Sequence, residues 1–212
     1  MRVMLIFVNS HPNEHAEPRK RPVQERSRRT VEAILFEAAR IFGEKGYAAT
    51  TTNHVAEAAG ISIGSLYQYF PNKDALLVAL EERHLAEATV VLRSAAARWR
   101  LDCPGVEQWA KSFIDVLVEV NDSPMHVLIY DTAPPLPHLR NASEALVNMI
   151  AADVAVHLRR WGYRRSTKLR AQLMVVAALR LVHDIVIRIP SGPARQQARA
   201  ETERLIAAAV MT

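Results

Sequence analysis

The chain has 212 residues, half of them hydrophobic and 23% charged, with only seven glycines. That is long enough for one large domain or two modest ones, and it excludes a fibrous or compositionally disordered chain. A formal charge of +5 and a pI near 9.7 favour polyanionic partners, and a single cysteine, Cys103, excludes an internal disulfide or a cysteine metal cluster within one subunit. A reducing cytoplasm is the expected setting.

Residues 3–8, VMLIFV, form too short an apolar run for a signal peptide and lack a small-residue cleavage motif, so residues 1–22 read as a disordered basic leader. Between Glu14 and Arg29 the basic residues Arg19, Lys20, Arg21, Arg26, Arg28 and Arg29 outnumber the acids. Two readings stay open for this arm: a solvated tail, or a segment that neutralises phosphates or enters a minor groove. A first helix is expected from about Ser27 to Lys45, because Val31, Ile34, Leu35, Ala38 and Phe42 recur at three and four; Gly46 ends it.

The stretch GYAATTTNHVAEAAGISIGSLYQYFPNK, residues 46–73, carries the densest signals. Thr51 can cap a short helix through Asn53, Val55 and Ala58, Gly60 stops it, and Ser62 can cap a second. On that second helix Leu66 and Phe70 lie four apart and point inward, which turns Gly64, Ser65 and Gln68 outward. Ala56, Gly60 and Leu66 supply a small contact residue, a permissive turn and a buried aliphatic, a helix-turn-helix pattern. Donors and acceptors on the outward face suit base edges: Gln68 can contact adenine in a bidentate way, Ser65 fits several bases, Gly64 allows a close backbone approach and Ile63 can touch a thymine methyl.

The sequence GISIGSLYQYFPNKDALL, preceded by TTTNHVAEAA, resembles the DNA-binding region of the TetR family of bacterial transcriptional regulators, over about a quarter of the chain back to Ser27. The resemblance implies an all-α homodimer with an N-terminal three-helix DNA-binding domain, a larger C-terminal helical domain for ligand binding and dimerisation, and repression relieved by a small molecule. On this pattern Thr51, Thr52, Ser62, Ile63, Gly64, Ser65, Tyr67, Gln68, Tyr69 and Lys73 are the expected DNA-binding residues, with Thr51, Tyr67, Tyr69 and Lys73 at phosphate-holding positions. The domains divide as 23–72 for reading and 73–212 for sensing and dimerisation. Double-stranded DNA with a roughly palindromic operator is the expected partner, in the bacterial cytoplasm at the nucleoid.

Asn72 should cap a fourth helix that runs without Gly or Pro to about Leu101. A fifth follows from about Val106 to Val120, with Trp109, Phe113 and Leu117 on one face; a short one opens at Ser123 and Pro124. Three prolines forbid regular helix over 132–137, and a seventh helix runs from about Asn141 to Trp161. The eighth, about 166–189, carries a charged stripe of Arg180, Asp184 and Arg188 among apolar residues. Those charges argue against a membrane span, and the apolar excess argues for a dimer formed with a last helix at about 194–211. An unknown small-molecule ligand is expected among Trp99, Trp109, Phe113, Tyr130, Met149, Asp153 and His157. No cofactor, metal or catalytic residue is expected: the histidines and aspartates form no ligand motif, and His183 and Asp184 are neighbours that point about 100° apart. A ligand-independent architectural or partner-controlled DNA-binding factor is the alternative, and an enzyme the remote one.

Overall fold

The computed structural model describes residues 25–102, 104–128 and 139–211, and among these every regular element is a helix. The leader, Cys103, Tyr130, Asp131, His138 and the proline-rich break lie outside the described residues. The helices are α1 (Glu25–Lys45), α2 (Thr52–Ala58), α3 (Ile63–Tyr69), α4 (Lys73–Asp102), α5 (Val106–Asn121), α6 (Pro124–Val127), α7 (Leu139–Arg160), α8 (Thr167–Arg188) and α9 (Pro193–Met211). Each expected helix is present, with ends moved by no more than two residues, the usual uncertainty where last turns fray.

The described chain divides into two compact units, the first ending at Leu80 but including also Leu139 and Arg140, the second made of the remaining residues from Glu81 onward. This differs from the expected boundary at residues 72 and 73. The opening turns of α4 belong to the first unit because Ala75, Leu76, Leu77, Val78 and Leu80 are all buried there. A cap at Asn72, whose Oδ1 accepts from Ala75 N at 2.8 Å, marks where a helix starts and not where a domain ends.

In the first unit the apolar stripe of α1 is buried as its spacing dictates, with Ile34, Leu35, Ala38, Ile41 and Phe42 inward. It packs with α2, and α2 with α3, around Val55, Ala56, Leu66 and Phe70. In the second unit α5, α8 and α9 pack on one another, and the core runs from Ala88 and Leu92 through Trp109 and Phe113 to Val175, Val182 and Ile206. Among the described residues no helix is long and apolar enough to cross a membrane.

Candidate nucleic-acid interface

Local hydrogen bonds set α2 and α3. Thr51 Oγ1 accepts from His54 N at 3.3 Å and Thr51 N donates to His54 Nδ1 at 3.4 Å, a capping box in which histidine takes the place of the usual acid or amide. At the other end Ile61 N donates to Ala56 O at 3.0 Å and Gly60 N to Glu57 O at 3.1 Å. This pair of bonds puts the residue after the cap in the left-handed region, and Gly60 sits there at φ +65° without a Cβ penalty. Ser62 Oγ then accepts from Ser65 N at 3.1 Å and caps α3. Leu66 and Phe70 are buried as expected, which fixes the rotation of α3 and turns Gly64, Tyr67 and Gln68 to the surface.

Each expected contact residue now has a place. Gln68 is exposed and has no partner among the described residues, so its amide is available in full. Thr51 uses a lone pair for the cap and keeps a hydroxyl proton to donate. Ser62 and Ser65 share a hydroxyl contact of 2.8 Å, and Ile63 is half-buried. Tyr67, 41% exposed, has its hydroxyl 3.0 Å from Thr52 Oγ1, a tie between the start of α2 and the last turn of α3 that still leaves the ring outside. Tyr69 is half-buried at the end of α3.

Gly64 is the most telling of these. It has ordinary helical φ, and a Cβ built on it would meet nothing closer than Ser62 Oγ at 3.9 Å. Glycine in a helix costs roughly 0.5–1 kcal/mol relative to alanine. No neighbour within the fold requires that cost.

Lys73 differs from the expectation of a phosphate contact. Its Nζ donates to the carbonyls of Tyr47 at 2.9 Å, Thr50 at 3.2 Å and Ala48 at 3.3 Å, and lies 4.4 Å from the centre of the Tyr47 ring. An ammonium has three donors, and all three are directed at the loop that precedes Thr51. The same loop is held by Tyr47, whose hydroxyl donates to Asp74 and whose pKa is raised by burial and by that carboxylate. Lys73 therefore supports the loop.

In the second unit the structure brings together Trp99, Trp109, Phe113 and His157. Trp109 stacks on Phe113 with centroids 4.9 Å apart, and Trp99 meets both edge-on at 6.1 and 6.0 Å. Asp153, one turn before His157 on α7, pairs with Arg100. Met149 is drawn away from the rings, with its Sδ 3.2 Å from Arg93 Nε. Trp161, which sequence reasoning used only as a helix end, stands edge-on to Trp109 at 5.3 Å; its spacing of four from His157 on one helix was the available signal. His183 and Asp184 serve separate contacts: His183 Nδ1 lies 3.1 Å from His126 Nε2, and Asp184 accepts from Arg180 and Arg188.

Residues 34–80 match the family of bacterial regulatory proteins known as the tetR family. Over this segment the chain is similar to the TetR family. The likeness to curated relatives covers similarly short stretches. Over 54 residues it is 41% identical to the uncharacterized HTH-type transcriptional regulator YerO of Bacillus subtilis, covering 26% of this chain and 19% of that protein. Over 64 residues it is 38% identical to the nucleoid occlusion factor SlmA of Haemophilus ducreyi, covering 30% of each. The chain thus spans less than a third of either relative. The TetR fold extends further: the fatty acid degradation regulator FadR from Bacillus halodurans superposes over 89% of this chain and 96% of its own, with a TM-score of 0.64 at 17% identity. The TetR-family regulator PfmR from Thermus thermophilus superposes over 87% and 96%, with a TM-score of 0.62 at 22% identity. At such identities the likeness is one of fold.

Proposed function

We propose that this chain is a sequence-specific DNA-binding transcription regulator, a homodimeric repressor that a small molecule releases from a roughly palindromic operator. The observation that carries the reading is Gly64: an exposed helical glycine with no internal reason to lack a side chain, one turn from an unpartnered Gln68 on the same outward face. A helix laid in a major groove needs that combination of a bare backbone and a reaching amide. Thr51, Thr52, Ser62, Ser65, Tyr67 and Tyr69 supply hydroxyls around this face, suited to phosphate oxygens, and Ile63 supplies apolar contact.

The dimer is supported by the surface of α8. One side is covered within the subunit by Ala171, Met174, Val175, Ala178 and Val182, while Leu169, Leu173 and Val176 are 57, 61 and 51% exposed along another. Leu205 on α9 is 53% exposed. A second copy that buries these residues would place two reading domains on half-sites related by a two-fold axis.

The experiment is a pair of substitutions on a fragment of the protein's own promoter, followed by fluorescence anisotropy at several salt concentrations. Gly64→Ala should leave thermal stability unchanged or raised by up to about 1 kcal/mol, yet weaken specific binding. Gln68→Ala should weaken specific binding by about 5- to 150-fold and leave non-specific binding intact. If Gly64→Ala and Gln68→Ala both keep wild-type affinity and footprint, the face of α3 does not read DNA. The likeness to SlmA, named a nucleoid occlusion factor, favours as a second reading a ligand-independent DNA-binding protein, architectural or partner-controlled.

A further inference from the structure

DNA reading makes no use of the ring cluster in the second unit. Two of its three indoles are satisfied: Trp99 Nε1 donates to Ser112 Oγ at 2.9 Å and Trp161 Nε1 to Pro104 O at 3.3 Å. The third, on Trp109, is the most deeply buried, with 0% of the residue exposed, and its Nε1 has no hydrogen-bond partner among the described residues. The same holds for Nε2 of His157, a residue 1% exposed. The two rings are neighbours, with centroids 6.1 Å apart, and both touch Trp161. A buried polar atom without a partner weakens the folding equilibrium by roughly five- to a hundredfold, and native chains seldom keep one without a use. Here two such atoms belong to neighbouring rings.

We propose that Trp109 Nε1–H and His157 Nε2 are the polar contacts of the effector site, and that the effector is a small, flat, apolar molecule carrying one hydrogen-bond-accepting oxygen. This rests on the reading above that the second unit senses a small molecule. An indole N–H can only donate, so the missing partner must accept. Phe113, Trp109 and Trp161 already pack on one another offset or edge-on, and a flat ring that enters among them would do the same. Burial, and after it the positive charges of Arg160 and Arg100, hold the His157 pKa down at about 4, so the imidazole is neutral at pH 7 and its Nε2 can serve as a donor as well. The positive surroundings that disfavour an imidazolium favour an oxygen with negative charge, which ranks a carboxylate above a ketone. A single ordered water is the competing occupant, since two polar partners are enough to hold one.

The test uses the full-length protein and three probes built on one phenyl ring: benzoate, acetophenone and ethylbenzene. Calorimetry and 15N–1H spectra of the indole groups should show benzoate binding best, acetophenone next and ethylbenzene worst. The indole signal that moves should be the one lost in Trp109→Phe. Trp109→Phe and His157→Phe should each weaken the two oxygen-bearing probes by about tenfold and leave ethylbenzene unchanged. The proposal is overturned if the oxygen-bearing probes bind no better than ethylbenzene, or bind both variants as they bind the wild type. Unchanged probe binding together with a raised Tm in Trp109→Phe would assign the two atoms to a water. Operator affinity is measured in parallel. Probes that bind in the expected pattern without releasing DNA uphold the site and remove the ligand-control reading; release that survives in both variants does the reverse.

Discussion

In the unit that ends at Leu80 the buried polar side chain is Thr50, and its hydroxyl donates locally to Gly46 O at 2.8 Å. In the unit that starts at Glu81 the buried groups include Glu81, His84, His126, Asp153 and His157, all able to change charge. The first unit keeps its functional polarity outside, on helices of seven residues held by caps, where a partner as large as DNA can reach it. The second places polarity inside long apolar helices, where only something small can arrive. Burial of titratable groups costs stability, so the contrast is the one expected if, as proposed, the two units serve partners of different size.

The comparison can be broken most forcefully at the surface of α8. Leu169→Glu with Leu173→Glu should leave both cores intact but shift sedimentation to the monomer, and operator affinity should fall by about 10²- to 10⁴-fold as two linked half-sites become independent. A monomeric variant that still binds a full operator at wild-type strength would show that each reading domain acts alone. Leu66→Ala removes a fully buried side chain of the first unit and should destabilise it by about 2–5 kcal/mol in urea unfolding. If the probes still bind to the second unit at urea concentrations where DNA binding is lost, the two units unfold separately.

A pH series sharpens the same contrast. His157 is held at about 4 and His126 at about 3 by burial first, against 6.5 ordinarily. Below 6.5 the unfolded chain binds protons that the fold refuses, so second-unit stability should fall as pH drops from 6.5 towards 4. Burial raises the Glu81 carboxyl from 4.5 to about 7, which works in the opposite direction: that contribution is lost as pH rises between the two values. His157→Phe should flatten the fall towards acid, and Glu81→Gln, by removing the opposing contribution, should steepen it, in denaturation midpoints measured from pH 4.5 to 7.5. The smallest expected effect is in the first unit, where Thr51→Ala removes a cap and should cost about 1 kcal/mol, visible as a lower thermal midpoint.

Legibility in the sequence followed the range of the interactions. Thr51, Gly60 and Ser62 act on atoms within five residues of themselves, so the start, turn and restart of the motif could be read from residue types alone. The faces of α5 and α8 could be read from periodicity. What could not be read were pairings across the chain: Asp153 with Arg100, His126 with His183, Trp161 with Trp109. Lys73 shows the limit most clearly, because its partners are backbone carbonyls, which carry no residue identity.

That lysine has a chemical consequence. An amine whose lone pair is tied up as an ammonium among three carbonyls, and roofed by a tyrosine ring, is a poor nucleophile towards acylating reagents. Lys45, Lys111 and Lys168 stand exposed and should be modified early. Lys73 should react last, and once it does the loop ahead of Thr51 loses its fastening, so labelling that reaches this one position would silence the protein on DNA without touching the helix that reads it.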